Sequence, residues 1–224
     1  MDAGELKVGD ILLEKFNYRH ATHWAIMAGQ AIFSHNLSGG HANTVHAAIY
    51  TGVDDGRHLV AEAVGTGLQE VPISETYEVY RWKTALADLP LIAAEIAHTW
   101  VELADGNAGA YGQIEGFGGY STFMASQSLL TTSTLGRSGR NRASAMWNGT
   151  QKDFYCSMFV VAAYQAAAAT MDSRADDEVF TASLKYRYNK EPIKVDLKYI
   201  SPKKLQAALK TDKRWDYMGV VAAG

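Results

Sequence analysis

The chain reads as an α+β fold in which a central antiparallel sheet packs against helices. Three observations predict it. Short apolar runs between residues 44 and 82 are separated by brief turns rich in Gly and Asp, the pattern of β-hairpins. Apolar residues recur at helical spacing on both sides of that stretch. Strands and helices nowhere alternate regularly, as a parallel sheet would require. At 224 residues the chain can bury roughly 70–75% of its unfolded surface, and residues 1–224 are expected to form a single domain.

In chain order, residues 7–14 give a turn, Lys7-Val-Gly-Asp10, and then a short apolar strand. Over 19–33, Trp24, Met27, Ala31 and Ile32 fall at helical spacing, and 34–43 is a polar, Gly-containing loop. Thr44 to Thr51 is strand-like, Gly52 to Gly56 a turn and His58 to Val64 a second strand, so 44–64 is expected to be a hairpin. Gly65-Thr-Gly67 turns into Leu68–Ile73, and Glu78–Trp82 is another short strand. A helix is expected over Leu89–Leu103, beginning close to Pro90. From Gly106 to Gly149 the composition shifts to Gly, Ser, Thr and Asn. Loops over ~15 residues are uncommon inside a compact domain and are often functional lids, so 106–149 is read as an insertion or lid with little regular structure. A strong helix follows over Cys156–Ala169, and Ser201–Lys210 is a Ser-capped helix with Pro202 at its first position.

Composition narrows the function. Lys and Arg number 21 against 24 Asp and Glu, a net charge of −3, which offers neither a nucleic-acid footprint nor a polybasic membrane patch. The N-terminus lacks the basic-then-apolar layout of a secretory signal. No apolar run approaches the ~18–20 residues of a transmembrane segment. The expectation is a protein made in the cytosol. With one cysteine, Cys156, an internal disulfide and a four-cysteine zinc site are excluded.

Cys156 sits where the polar stretch Asp153-Phe-Tyr155 enters an apolar helix. A thiol in the first helical turn faces unsatisfied N–H groups and the positive end of the dipole, which favour the nucleophilic thiolate. The same N–H groups can hold the oxyanion formed when a carbonyl is attacked. His46, on the first strand of the hairpin, supplies the imidazole that usually serves a cysteine nucleophile as base. Glu62, on the second strand, can accept the other ring N–H and fix the tautomer. Each residue also has a bland reading: a small buried thiol, a structural strand histidine and a solvated carboxylate. Periodicity alone leaves that choice open.

Four segments together carry a resemblance. They are Leu6-Lys-Val-Gly-Asp-Ile-Leu12, Val45-His-Ala-Ala-Ile-Tyr-Thr-Gly52, Val60-Ala-Glu-Ala-Val64 with Gly67 and Val71-Pro-Ile73, and Phe154-Tyr-Cys-Ser-Met-Phe-Val160. This series resembles the circularly permuted NlpC-type papain-like cysteine hydrolases, most of all the YiiX-like branch. The order His, acid, Cys is the permuted one, and the likeness covers roughly 6–82 and 150–220. It implies Cys156 as nucleophile at a helix N-terminus, His46 as general base and Glu62 as orienting acid. Tyr155 and Tyr50 fall where tyrosines often line such sites, as substrate-binding residues. Lecithin:retinol acyltransferase-like enzymes share the plan and a His-x-x-Ile-Tyr strand, but have a second His where this chain has Glu62 and a different sequence around Cys.

The resemblance implies hydrolysis of an amide through an acyl-enzyme, in peptidoglycan stem peptides, with no metal or organic cofactor. An antibacterial effector fits it, a toxin carried by a specialised secretion machine to a target cell's periplasm and paired with a cognate immunity protein. Acyl transfer or lipid or thioester hydrolysis on the same triad, and a catalytically dead binding domain, are the alternatives. Other motifs fall away. His20 and His23, with His35 and His41 nearby, lack an acidic partner pattern for a metal. Gly116-Phe-Gly-Gly119 lacks the Lys-Ser/Thr of a phosphate loop. Arg137, Arg140 and Arg142 read as a solvated loop, and the five tryptophans as core or groove lining.

Overall fold

The computed structural model describes residues 1–15, 44–83, 88–105, 119–120, 153–174, 192–195 and 200–222. The helix expected over 19–33, the loop over 34–43, all of the 106–149 insertion except 119–120, and the His and Arg groups they carry lie outside the described residues.

Six strands form one antiparallel sheet: β1 (Ile11–Lys15), β2 (Thr44–Asp54), β3 (Arg57–Val64), β4 (Gly67–Pro72), β5 (Tyr77–Trp82) and β8 (Trp215–Val221), in the order β4-β3-β2-β1-β5-β8. Among the described residues the α-helices are α1 (Asp88–Asp105), α2 (Cys156–Arg174) and α3 (Pro202–Thr211). The architecture is therefore α+β, an open antiparallel sheet packed against helices. Among the described residues there is also a two-residue parallel pair, β6 (Gly119–Tyr120) with β7 (Asp153–Phe154). The insertion thus supplies a strand, and that strand's partner leads straight into α2.

Local sequence explains the elements. The hairpin turn is tighter than Gly52–Gly56: β2 runs on to Asp54, and only Asp55 and Gly56 turn, both at positive φ (46° and 74°), as the favoured two-residue hairpin turn needs. Gly52 instead sits at a register shift in the β2–β3 ladder. β3 and β4 are joined by Gly65 and Thr66 alone, which sets Val64 opposite Gly67 and every pair behind them. Ser201 caps α3 by accepting from the Lys204 N–H, with Pro202 first in the helix.

The main core lies on one face of the sheet. Ile11, Leu13, Ala47, Ile49, Ala61, Ala63 and Tyr80 meet apolar residues of all three helices there. α1 contributes Leu89, Ala93, Ile96, Ala97 and Trp100, a stripe at helical spacing. α2 touches β2, β3, α1 and α3 and is buried on every side from Cys156 to Ala168, which explains its all-round Ala-rich composition. Trp82, Trp100 and Trp215 are core residues, and Trp215 packs edge-on against both Trp82 and Tyr164. Leu12, Ala48, Tyr50, Val60, Tyr77 and Val79 form a smaller cluster with the N-terminal segment on the opposite face. Gly9 joins the layers: its N–H donates to the Tyr50 carbonyl (2.8 Å), its carbonyl accepts from the Tyr164 hydroxyl, and φ is +89° where Pro90 of α1 presses against it. Among the described residues no helix is long and apolar enough to cross a membrane.

Candidate active site

His46 lies near the start of β2 in the middle of the sheet, directly opposite Glu14 of β1. Glu62 of β3 pairs with Ala48, so His46 and Glu62 share a face as diagonal neighbours, with the small Ala48 leaving space between them. His46 Nε2 is 2.8 Å from Glu62 Oε2. An ionised carboxylate can only accept, so Nε2 carries the proton and donates. The Cys156 side chain lies close enough to the His46 ring to act on it electrostatically. The structure therefore brings Cys156, His46 and Glu62 near one another.

Cys156 is the first residue of α2 and only 5% exposed. Its neighbours anchor it. The Tyr155 hydroxyl accepts from the Ile200 N–H at 3.2 Å, and the Ser157 hydroxyl donates to the Ile200 carbonyl. The flanking residues of the thiol are thus tied to the segment that enters α3.

Charge dominates the site. Burial is the largest influence on the His46 ring and works against its charge; the charge and hydrogen bond of Cys156, and then those of Glu62, together outweigh it and hold the ring's pKa well above its ordinary value. For Glu62, burial pushes the carboxyl up, but the hydrogen bond and charge of His46 and the hydrogen bond of Gln69 bring it below its usual range. Both effects favour an imidazolium beside an ionised Glu62 carboxylate.

The remaining residues sort differently from the sequence expectation. Tyr155 and Tyr50, expected to line the substrate site, are both buried. Tyr155 is held by Ile200, while the Tyr50 hydroxyl lies 2.7 Å from His58 Nδ1 and the two rings stack. Tyr50 shares the face of His46 but lies four residues along the strand, roughly 13 Å away at about 3.3 Å per residue. Sequence reasoning missed Gln69, which sits opposite Glu62 on β4 and donates from Nε2 to Glu62 Oε1 at 2.7 Å. The two-residue turn Gly65-Thr66 was the signal that places it there. It also missed Tyr77 and Glu14, paired with each other across β5 and β1 on the same face. Burial, then the charges of Glu62, Glu14 and Glu75, push the Tyr77 hydroxyl far up, so it keeps its proton.

Among the described residues, no group of three or more His, Cys, Asp or Glu side chains is arranged to hold a metal ion. Compared with protein-family models, curated proteins and solved structures, the chain matches none of them.

Proposed function

We propose that this chain is a cysteine hydrolase of the circularly permuted, NlpC-type papain-like kind, cleaving an amide bond in peptidoglycan stem peptides. The observation that carries this reading is the line Cys156–His46–Glu62, with sulfur at a helix start and imidazole on a paired strand. Filler cysteines have no need of an imidazole whose far nitrogen is held by a carboxylate.

In the mechanism His46 Nδ1 takes the Cys156 proton, and the resulting thiolate attacks the scissile carbonyl carbon as the carbonyl π pair moves to oxygen. The backbone N–H groups of the first turn of α2, Cys156's own among them, face that oxyanion. Collapse breaks the C–N bond, and the departing amine takes the proton from His46 Nδ1. The neutral ring then accepts a proton from water as the water oxygen attacks the thioester, releasing the acid and restoring the thiol–imidazole pair. Glu62 keeps the Nε2 proton in place and stabilises the imidazolium. An uncharged peptide bond suits the near-balanced charge of the chain.

The test incubates the protein with purified muropeptides and with a lipid panel, following products by mass spectrometry. Muropeptide cleavage with addition of water is expected, abolished in Cys156→Ala with the melting temperature nearly unchanged. Activity retained alongside a large loss of stability would make Cys156 structural. Products from lipids alone would move the chemistry to the acyltransferase-like alternative, and none from either would leave a binding domain. As an antibacterial effector, the wild type directed to the periplasm of a bacterial host would lyse it, and Cys156→Ala would not.

A further inference from the structure

The line of hydrogen bonds does not stop at Glu62. Oε2 of that carboxylate takes the His46 ring, and Oε1 takes the side-chain amide of Gln69 at 2.7 Å. The reverse amide orientation would set a carbonyl oxygen against an ionised carboxylate, so Gln69 must donate. We infer that Gln69 is a positioning residue of this site, fixing the rotation of the Glu62 carboxylate so that Oε2 stays aimed at His46. This rests on the cysteine-hydrolase reading given above.

The geometry and the chemistry of the amide both support the role. Gln69 and Glu62 are directly opposite in the β3–β4 ladder, in a register fixed by the two-residue turn between Val64 and Gly67. Terminal carboxylate torsions are broad, and a single hydrogen bond from His46 leaves the second oxygen to wander. A donor on that oxygen removes the freedom. A lysine or arginine could donate too, but its charge would neutralise the carboxylate and weaken its hold on the imidazolium. A neutral amide orients the acid and leaves its charge for His46. The four residues Gln69, Glu62, His46 and Cys156 come from β4, β3, β2 and α2, so three adjacent strands pass the alignment toward the helix.

Two near-isosteric variants test it in the full chain. Gln69→Met keeps the volume and removes the donor. Gln69→Glu keeps the shape, and its new carboxyl can donate only while protonated. With muropeptide as substrate, Gln69→Met should lower kcat on the order of tenfold with KM little changed, as for loss of a hydrogen bond to a charged group. Gln69→Glu should approach wild-type kcat only at acid pH and lose it as pH rises through the titration of the new carboxyl. The His46 titration, followed by NMR and assigned with a His46→Gln control, should move down in Gln69→Met. A purely structural role would shift none of these beyond the melting temperature. Unchanged kcat, or an unchanged His46 titration in folded Gln69→Met, overturns the inference. If the wild type hydrolyses nothing, the hydrolase reading falls by itself, and the NMR titration still decides whether Gln69 positions Glu62.

Discussion

Glu62→Gln keeps the shape of the acid and deletes its charge. His46 and Glu62 meet at 2.8 Å with their side chains only 14% and 8% exposed, so solvent screens the contact weakly. A hydrogen bond to a charged group is worth roughly 1.5–3 kcal/mol and a neutral one roughly 0.5–1.5. The exchange therefore removes about 1–1.5 kcal/mol of support for the protonated ring, which is roughly a 5- to 12-fold drop in any rate that depends on it. The second hydrogen bond can survive, because the new amide nitrogen can donate to a flipped Gln69 carbonyl oxygen where Oε1 now accepts. The assay is alkylation by iodoacetamide at pH 7, which reports one site because Cys156 is the chain's one cysteine and the thiolate is the reactive form. Alkylation should slow by that factor, and the NMR titration of His46 should fall. The pH dependence has a definite sign. The His46 pKa is raised on folding, so its share of stability is full below the ordinary imidazole value and is lost as pH rises through the folded one. The Glu62 pKa is lowered, so its share is present above the ordinary carboxyl value and is lost as pH falls through the folded one. Urea unfolding across pH should show the margin of wild type over Glu62→Gln widest between those limits. Unchanged alkylation together with an unchanged His46 titration would refute the reasoning and remove the acid from the site.

Two further outcomes concern the frame that holds the site. Gly9→Ala puts a Cβ 2.4 Å from the Pro90 Cβ and carbonyl oxygen on a backbone at φ +89°; urea unfolding should show a loss on the order of 3 kcal/mol, and a loss under 1 kcal/mol would mean that α1 shifts freely. Arg81→Met strips the buried Asp10 of a two-point partner (2.8 and 2.6 Å); about 3 kcal/mol should be lost, with Asp10→Asn in the same chain recovering part of it, and simple additivity of the two losses would show that the pair does not interact.

Much of the sheet was legible because its signals are local. β1 through β5 follow from apolar runs between Gly- and Asp-bearing turns, and the hairpin placed His46 and Glu62 on facing strands. Where the reading slipped, one residue type was serving a different purpose. Gly52 looked like the start of a turn and is the place where the ladder shifts register. β8 was passed over because Tyr217 and Met218 are both exposed and Gly219 turns to φ +118°, which breaks the alternation that marks a strand. Of the candidate site, Cys156, His46 and Glu62 were legible, and the structure brings them near one another. Gln69 was not, because its meaning comes from pairing rather than from its own neighbours. The tyrosines were placed by closeness to Cys156 and His46 along the chain; in the structure Tyr155 is buried against Ile200 and Tyr50 stacks on His58.

The burial of α2 on every side has a consequence for how the site can fail. A helix that touches the sheet and two other helices has little freedom to open alone, since opening it exposes the main core. Its amides should exchange with solvent only through openings that approach global unfolding, while β4, at an edge of the six-stranded sheet, can fray far more cheaply. The sulfur is thus mounted on the last part of the fold to let go, and the acid–amide end of the same hydrogen-bonded line on one of the first.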